Sequence, residues 1–291
     1  MIVRAPAKVN LTLKILGKRT DGYHFLESLF TPISIFDQIE LTQRLSGSSD
    51  VIRYKTPEGL NLSFENDIIA KTLKLFREIS EVPPLTIDVV KTIPTGAGLG
   101  GGSSNAAAVL LRVQERWGDN TTALQLPVIA EKTGADVPFF LESRPALVSG
   151  IGEKIDPFNL DSLNLLVWNP PFKIHTTEAY GWFDDDCALT PRHDNVNTRN
   201  SRSEVSGRRL GISNIVDMLQ NDLEKPVEAR HPEIAVMKKA LRNWGALGAL
   251  MSGTGSSVYG IFRSPFDVEK AREKLRLEFS DDHVFFICKT L

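Results

Sequence analysis

The chain has 291 residues, 42% of them hydrophobic, and a formal net charge of −2 at pH 7. That is enough apolar material for a core without disulfides or metals, in two domains or one large one. The near-neutral balance argues against a global pull toward nucleic acid or anionic membrane, and no apolar run approaches the roughly 20 residues of a spanning helix. The start, Met1-Ile2-Val3-Arg4-Ala5-Pro6, lacks the basic segment and apolar stretch of a signal peptide, so a cytoplasmic protein is expected. Two distant cysteines, Cys187 and Cys288, and five scattered histidines give no metal-ligand spacing.

In chain order, Val3, Ala5, Ala7, Val9, Leu11, Leu13 and Ile15 fall on one face of a period-two segment. This predicts a half-buried strand with Lys8 and Asn10 side by side on its polar face. Lys18-Arg19-Thr20-Asp21-Gly22 reads as a turn, Asp-Gly being a hairpin signal. Ile33–Thr42 and Leu85–Ile93 read as strands. Between them Asn66 can cap a helix with the stripe Ile69, Leu73 and Phe76. A helix is expected from about Ser103 to Trp117, with Gly118 ending it, and another over Leu126–Thr133, ending at Gly134.

Asp184–Leu210, rich in Asp, Asn, Ser and Arg, has almost no apolar period and reads as a solvated loop. Leu210–Leu223 and Ile234–Trp244 then read as helices, and Leu247–Ser252 and Val258–Phe262 as strands around a Gly-Ser turn. Ser264-Pro265 has the form of a helix start, and Val284–Cys288 reads as a last strand that buries Cys288. The pattern is α+β in both halves. A boundary is expected near 150–160, where Gly150, Gly152 and Pro157 cluster, giving segments 1–155 and 156–291.

The most informative stretch is Pro94-Thr95-Gly96-Ala97-Gly98-Leu99-Gly100-Gly101-Gly102-Ser103-Ser104. Five glycines would weaken a helix or strand, but they suit a backbone that must approach a ligand and take positive φ. The stretch follows a strand and opens a helix, so its N–H groups and the helix dipole converge on one point. That is an anion cradle suited to a nucleotide's phosphates, to which Ser103 and Ser104 add hydroxyls for phosphate or Mg²⁺. A flexible linker does not sit between an apolar strand and a periodic helix. The Gly-Lys-[Ser/Thr] ending of a Walker A loop is missing, and the position does not fit a dinucleotide fingerprint.

Three motifs, in order, carry a resemblance. They are Pro6-Ala7-Lys8-Val9-Asn10-Leu11, the glycine loop followed by Asn105-Ala106-Ala107, and Met251-Ser252-Gly253-Thr254-Gly255-Ser256-Ser257. Together they span nearly the whole chain, which resembles the GHMP kinases. Gly17–His24, Gly134–Phe140 and Asn221-Asp222-Leu223-Glu224 look like the branch acting on a cytidine-diphosphate methylerythritol. The resemblance implies a two-domain α+β GHMP kinase fold with the active site in the interdomain cleft. It implies ATP binding by residues 1–155 and substrate binding by 156–291. It also implies ATP, Mg²⁺ and transfer to the acceptor's 2-hydroxyl in the non-mevalonate isoprenoid route. The polar stretch around Asp184–Leu210 is longer than usual for the family.

Roles follow from the same resemblance. Asp136 is either the catalytic base or a cap of the turn before Val137-Pro138; the family pattern implies the base. Lys8 is either a solvated strand lysine or, as the family's Pro-Ala-Lys pattern implies, the ammonium beside that carboxylate. Asn10 would orient substrate. Tyr23 and His24 would meet the cytosine, with Thr176 and Tyr180 on a second substrate-side segment. The nucleotide would lie on Pro94, Gly96, Gly98, Leu99, Gly100, Gly101, Gly102, Ser103 and Ser104. Asn66 would lie near the adenine, although a helix cap explains it equally well. Gly253, Gly255 and Ser256 either bring backbone close to substrate or loop, or form a plain hairpin. The Mg²⁺ ligands are not assigned, Ser104 and Asp136 being candidates, and oligomeric state is left open. The rivals are another GHMP acceptor (mevalonate, homoserine or a sugar) and a non-catalytic nucleotide sensor; retention of Lys8 and Asp136 argues against the sensor.

Overall fold

A computed structural model describes residues 2–56, 67–189, 205 and 207–291. The alternating N-terminal segment forms two strands, β1 (Ile2–Asn10) and β2 (Thr12–Lys18), and β3 (His24–Gln43) follows. Next come β4 (Val51–Lys55), α1 (Ile68–Arg77), β5 (Leu85–Val90), α2 (Gly101–Trp117), α3 (Asn120–Ala123), α4 (Leu126–Thr133) and α5 (Val137–Phe140). Then follow β6 (Ala146–Gly150), β7 (Lys154–Pro157), β8 (Asn159–Leu160), β9 (Asn164–Asn169) and α6 (Thr176–Leu189). The remainder is β10 (Arg209–Leu210), α7 (Ile212–Met218), β11 (Gln220–Asn221), α8 (Glu224–Arg230), α9 (Glu233–Asn243), β12 (Gly248–Met251), β13 (Val258–Phe262), α10 (Pro265–Glu278) and β14 (Val284–Lys289).

Packing groups these elements into two compact units that interleave along the chain. One comprises Met1–Ala7, Ile35–Thr95 and Gly100–Arg144; the other comprises Lys8–Ser34, Gly96–Leu99 and Pro145–Leu291. The expected cut at 155 partitions sequence; the contacts partition the chain by these interleaved segments.

In the first unit β5 lies between β4, parallel to it, and the later half of β3, antiparallel to it. Helix α1 packs on α2 and α4, and α2 packs on α5. The stripe Ile69, Leu73 and Phe76 of α1 is fully buried, as its spacing predicts. The α1 cap is Asp67, whose carboxylate accepts from the N–H groups of Ile69 (2.7 Å) and Ala70 (3.2 Å); Asn66 lies outside the described residues. Beyond β5, buried Asp37 holds the strand end that leads into the glycine loop. Its carboxylate pairs with the Lys91 ammonium and accepts from the N–H groups of Thr92 (2.7 Å) and Ile93 (2.9 Å).

In the second unit β2 pairs with the early half of β3, which also pairs with β6; β11 joins β2 in parallel. A second sheet, entirely antiparallel, has the order β12-β13-β9-β14. Its buried Trp168, Val258 and Phe262 share a core with Met237 and Leu241 of α9 and Leu275 of α10. Cys288 is buried on β14, as expected, and burial pushes its thiol up to about 12. No helix among the described residues is long and apolar enough to cross a membrane.

Three expectations need correction. The N-terminal strand is not half-solvated: Lys8, Asn10 and Thr12 are buried along with the apolar face, with Asn10 bonded to Lys8, Ser28 and Tyr259 and Thr12 to Leu29. Residues 184–189 continue α6 rather than forming a loop, since Asp184 and Asp186 are paired with Lys18 and Arg230. The expected helix Leu210–Leu223 stops at Met218, because Gln220 and Asn221 pair with Thr12 and Leu13.

Removing a buried partner strands a charge, at a cost of about 3–5 kcal/mol. Asp37→Ala is therefore expected to lower stability by about that amount, read as a shift in urea midpoint with an unchanged slope.

Candidate active site

Helix α2 starts at Gly101, two residues before the expected Ser103, because Gly100 caps it in the left-handed region (φ 70°, ψ 16°). The first bond around this turn runs from the Ser104 N–H to the Gly100 carbonyl, at 2.9 Å. The N–H groups of Gly101, Gly102 and Ser103 therefore have no acceptor within the helix, and no side chain caps the end. They sit at the positive pole of a 17-residue helix. The missing side chain at Gly101 is needed for packing, since a Cβ there would lie 2.8 Å from Ile93 Cγ2. In the same first turn Ser104 Oγ and Asn105 Oδ1 are buried and have no hydrogen-bond partner among the described residues. Two orphan oxygens beside unpaired amides suit an oxygen-ligated cation held together with a phosphate. No group of three or more His, Cys, Asp or Glu that could hold a metal occurs among the described residues.

Gly96–Leu99 of the loop belong to the second unit, where the first and third sequence motifs meet them. The Lys8 N–H donates to the Leu99 carbonyl (2.9 Å) and the Ser257 N–H to the Ala97 carbonyl (3.2 Å). Ser252 Oγ donates to the Gly98 carbonyl at 2.9 Å. Gly98 has φ 74°, and a Cβ there would collide with the Ser252 carbonyl oxygen. Met251–Ser257 thus joins β12 to β13 and also lies against the glycine loop.

Lys8 is 3% exposed, and its ammonium donates to Asn10 Oδ1 at 2.6 Å. Asn10 Nδ2 donates to Ser28 Oγ (2.9 Å), and the Tyr259 hydroxyl donates to the Asn10 carbonyl (2.9 Å). The Asn10 amide therefore holds Lys8 in place. A Cβ on Gly253 would lie 3.2 Å from Asn10 Oδ1 and 3.4 Å from Lys8 Nζ, and the turn's positive φ of 58° favours glycine there. Asn221, which the sequence offered only as part of a motif, fixes that turn. Its Nδ2 donates to the carbonyls of Met251 (2.9 Å) and Gly253 (2.7 Å).

Asp136, in the first unit, occupies the cap position of α5 but makes no side-chain capping bond. On the second unit His24 stacks on Tyr180 with ring centroids 4.8 Å apart. Tyr23, beside it at the hairpin turn, is 62% exposed, and Thr176 opens α6. Asp184 was missed by sequence reasoning, which placed it in the polar stretch. It accepts from Lys18 Nζ (2.6 Å) and bonds His24 Nε2 (2.7 Å). Partial burial pushes its pKa up, but these two hydrogen bonds outweigh burial and hold it below the usual carboxylate range.

Residues 67–144 match the model of the GHMP kinase N-terminal domain, and residues 207–281 match that of the GHMP kinase C-terminal domain. A 4-diphosphocytidyl-2-C-methyl-D-erythritol kinase of Porphyromonas gingivalis is 34% identical over 93% of this chain and 95% of its own length. One from Clostridium botulinum is 33% identical over the full length of both. The chain belongs to the GHMP kinase family. A crystal structure of a 4-(cytidine 5'-diphospho)-2C-methyl-D-erythritol kinase, 31% identical, superposes with a TM-score of 0.75 and covers both chains completely. Mevalonate kinase of L. major, 15% identical with a TM-score of 0.72 over all of this chain and 95% of its own, shares the GHMP kinase fold.

The glycines of this GHMP kinase loop are not equivalent. Gly98→Ala, which meets a backbone carbonyl at positive φ, is expected to destabilise the fold by at least about 2 kcal/mol. Gly102→Ala meets only Ile68 Cγ2 at 3.8 Å, so its expected change is under about 1 kcal/mol. Urea unfolding of the two variants separates them.

Proposed function

We propose that this GHMP kinase transfers the γ-phosphoryl group of ATP to the 2-hydroxyl of 4-diphosphocytidyl-2-C-methyl-D-erythritol. The observation that carries the reading is the set of three amides at the start of α2 without a helical acceptor. Full-length relatives that carry this kinase's name support the choice of acceptor.

In this reading Pro94, Gly96, Gly98, Leu99, Gly100, Gly101, Gly102, Ser103 and Ser104 hold the phosphates. Ser104 Oγ and Asn105 Oδ1 would hold Mg²⁺, which would neutralise phosphate charge when bound. Asp136 takes the proton of the acceptor hydroxyl. The Lys8 ammonium, fixed by Asn10, stabilises negative charge developing on that oxygen. Tyr23, His24 and Tyr180 receive the cytosine, and Thr176 lies on the same acceptor-binding segment. The partner is a small molecule, and the setting is the cytoplasm.

The reading is tested with the whole chain, ATP, Mg²⁺ and the cytidine-diphosphate acceptor. Acceptor-dependent ADP release is expected. Asp136→Ala is expected to lower kcat at least about 100-fold while leaving KM for ATP near the wild-type value. ADP release no faster than with ATP alone would refute the acceptor.

A further inference from the structure

Helix α6 and the β2–β3 hairpin are joined at one carboxylate. Tyr180 and Asp184 lie four residues apart on α6 and so share a face of the helix. His24 sits on that face. Its ring stacks on Tyr180 at 4.8 Å and 24°, and its Nε2 lies 2.7 Å from one oxygen of Asp184. The other oxygen takes Lys18 Nζ at 2.6 Å. Lys18 and His24 are cross-strand partners in β2 and β3. A single carboxylate therefore closes both strands of the hairpin onto the helix, and the turn between those strands carries Tyr23.

We propose that Asp184 is a positioning residue for the acceptor's nucleobase, holding the stacked His24–Tyr180 pair and the adjacent turn with Tyr23 in the arrangement against which a cytosine ring packs. The inference rests on the acceptor reading above. An ionised carboxylate only accepts hydrogen bonds, so the His24 proton sits on Nε2 and the ring is held in one orientation. The Lys18 pair alone, half in solvent, contributes little to stability. Its value here is geometric: it stops Asp184 from turning away from His24. His24 already covers one face of Tyr180, so loss of Asp184 releases the ring that sets where the base can stack.

The test measures CDP binding to the full-length protein by calorimetry, with ADP held saturating so that CDP reports on the acceptor side. Asp184→Ala is expected to weaken CDP binding about tenfold while ADP affinity and melting temperature stay near wild type. Asp184→Asn, which keeps an oxygen for the His24 Nε2–H, is expected to recover part of the loss. Unchanged CDP affinity in Asp184→Ala overturns the proposal, as does an equal loss of ADP affinity. Wild type that binds no CDP also overturns it. Wild type that binds CDP but transfers no phosphoryl group contradicts the reaction assignment alone, and the CDP affinities still decide the role of Asp184.

Discussion

Three main-chain N–H groups at the head of α2 have nowhere to go within the helix, and much of the surrounding structure keeps them that way. A capping serine or aspartate would satisfy one of them at once. Gly100, in the left-handed region, starts the helix without offering a side chain. A buried carboxylate, Asp37, fixes the strand end just before the loop by holding two successive amides. The result is a helix start whose N–H groups point away from the helix, the geometry of an anion cradle.

The second constraint is the burial of Lys8. An ammonium inside a protein is stable only with partners, because its hydration is lost. Asn10 supplies one of them, and Asn10 is in turn braced by Ser28 and by Tyr259. Burial pushes the Tyr259 hydroxyl well above its ordinary pKa, so it remains a hydrogen-bond donor. The Gly253 turn approaches the lysine closely, and Asn221 ties that turn down. Such a layered arrangement sets the direction of the Lys8 ammonium.

Much of this was legible in the sequence. The glycine loop could be placed between strand and helix because glycines and apolar periods are local signals, and Ser264-Pro265 marked a helix start for the same reason. What escaped were features set by distant partners. Residues 184–189 carry too few apolar side chains to announce a helix, yet Lys18, His24 and Arg230 hold their carboxylates. The polar side of β1 looked solvated because nothing in its period reveals Ser28 or Tyr259. Asn221 was visible only as one letter of a family motif; its grip on two carbonyls some 30 residues away is a tertiary fact. The start of α2 was misplaced by two residues because propensity disfavours glycine in a helix, and here packing against Ile93 excludes anything larger.

A crystal structure of the full-length protein with a non-hydrolysable ATP analogue tests the role of the α2 amides most directly. Phosphate oxygens are expected within about 3.2 Å of the backbone nitrogens of Gly101, Gly102 and Ser103. A triphosphate bound elsewhere, with those three amides facing only water, would contradict the account.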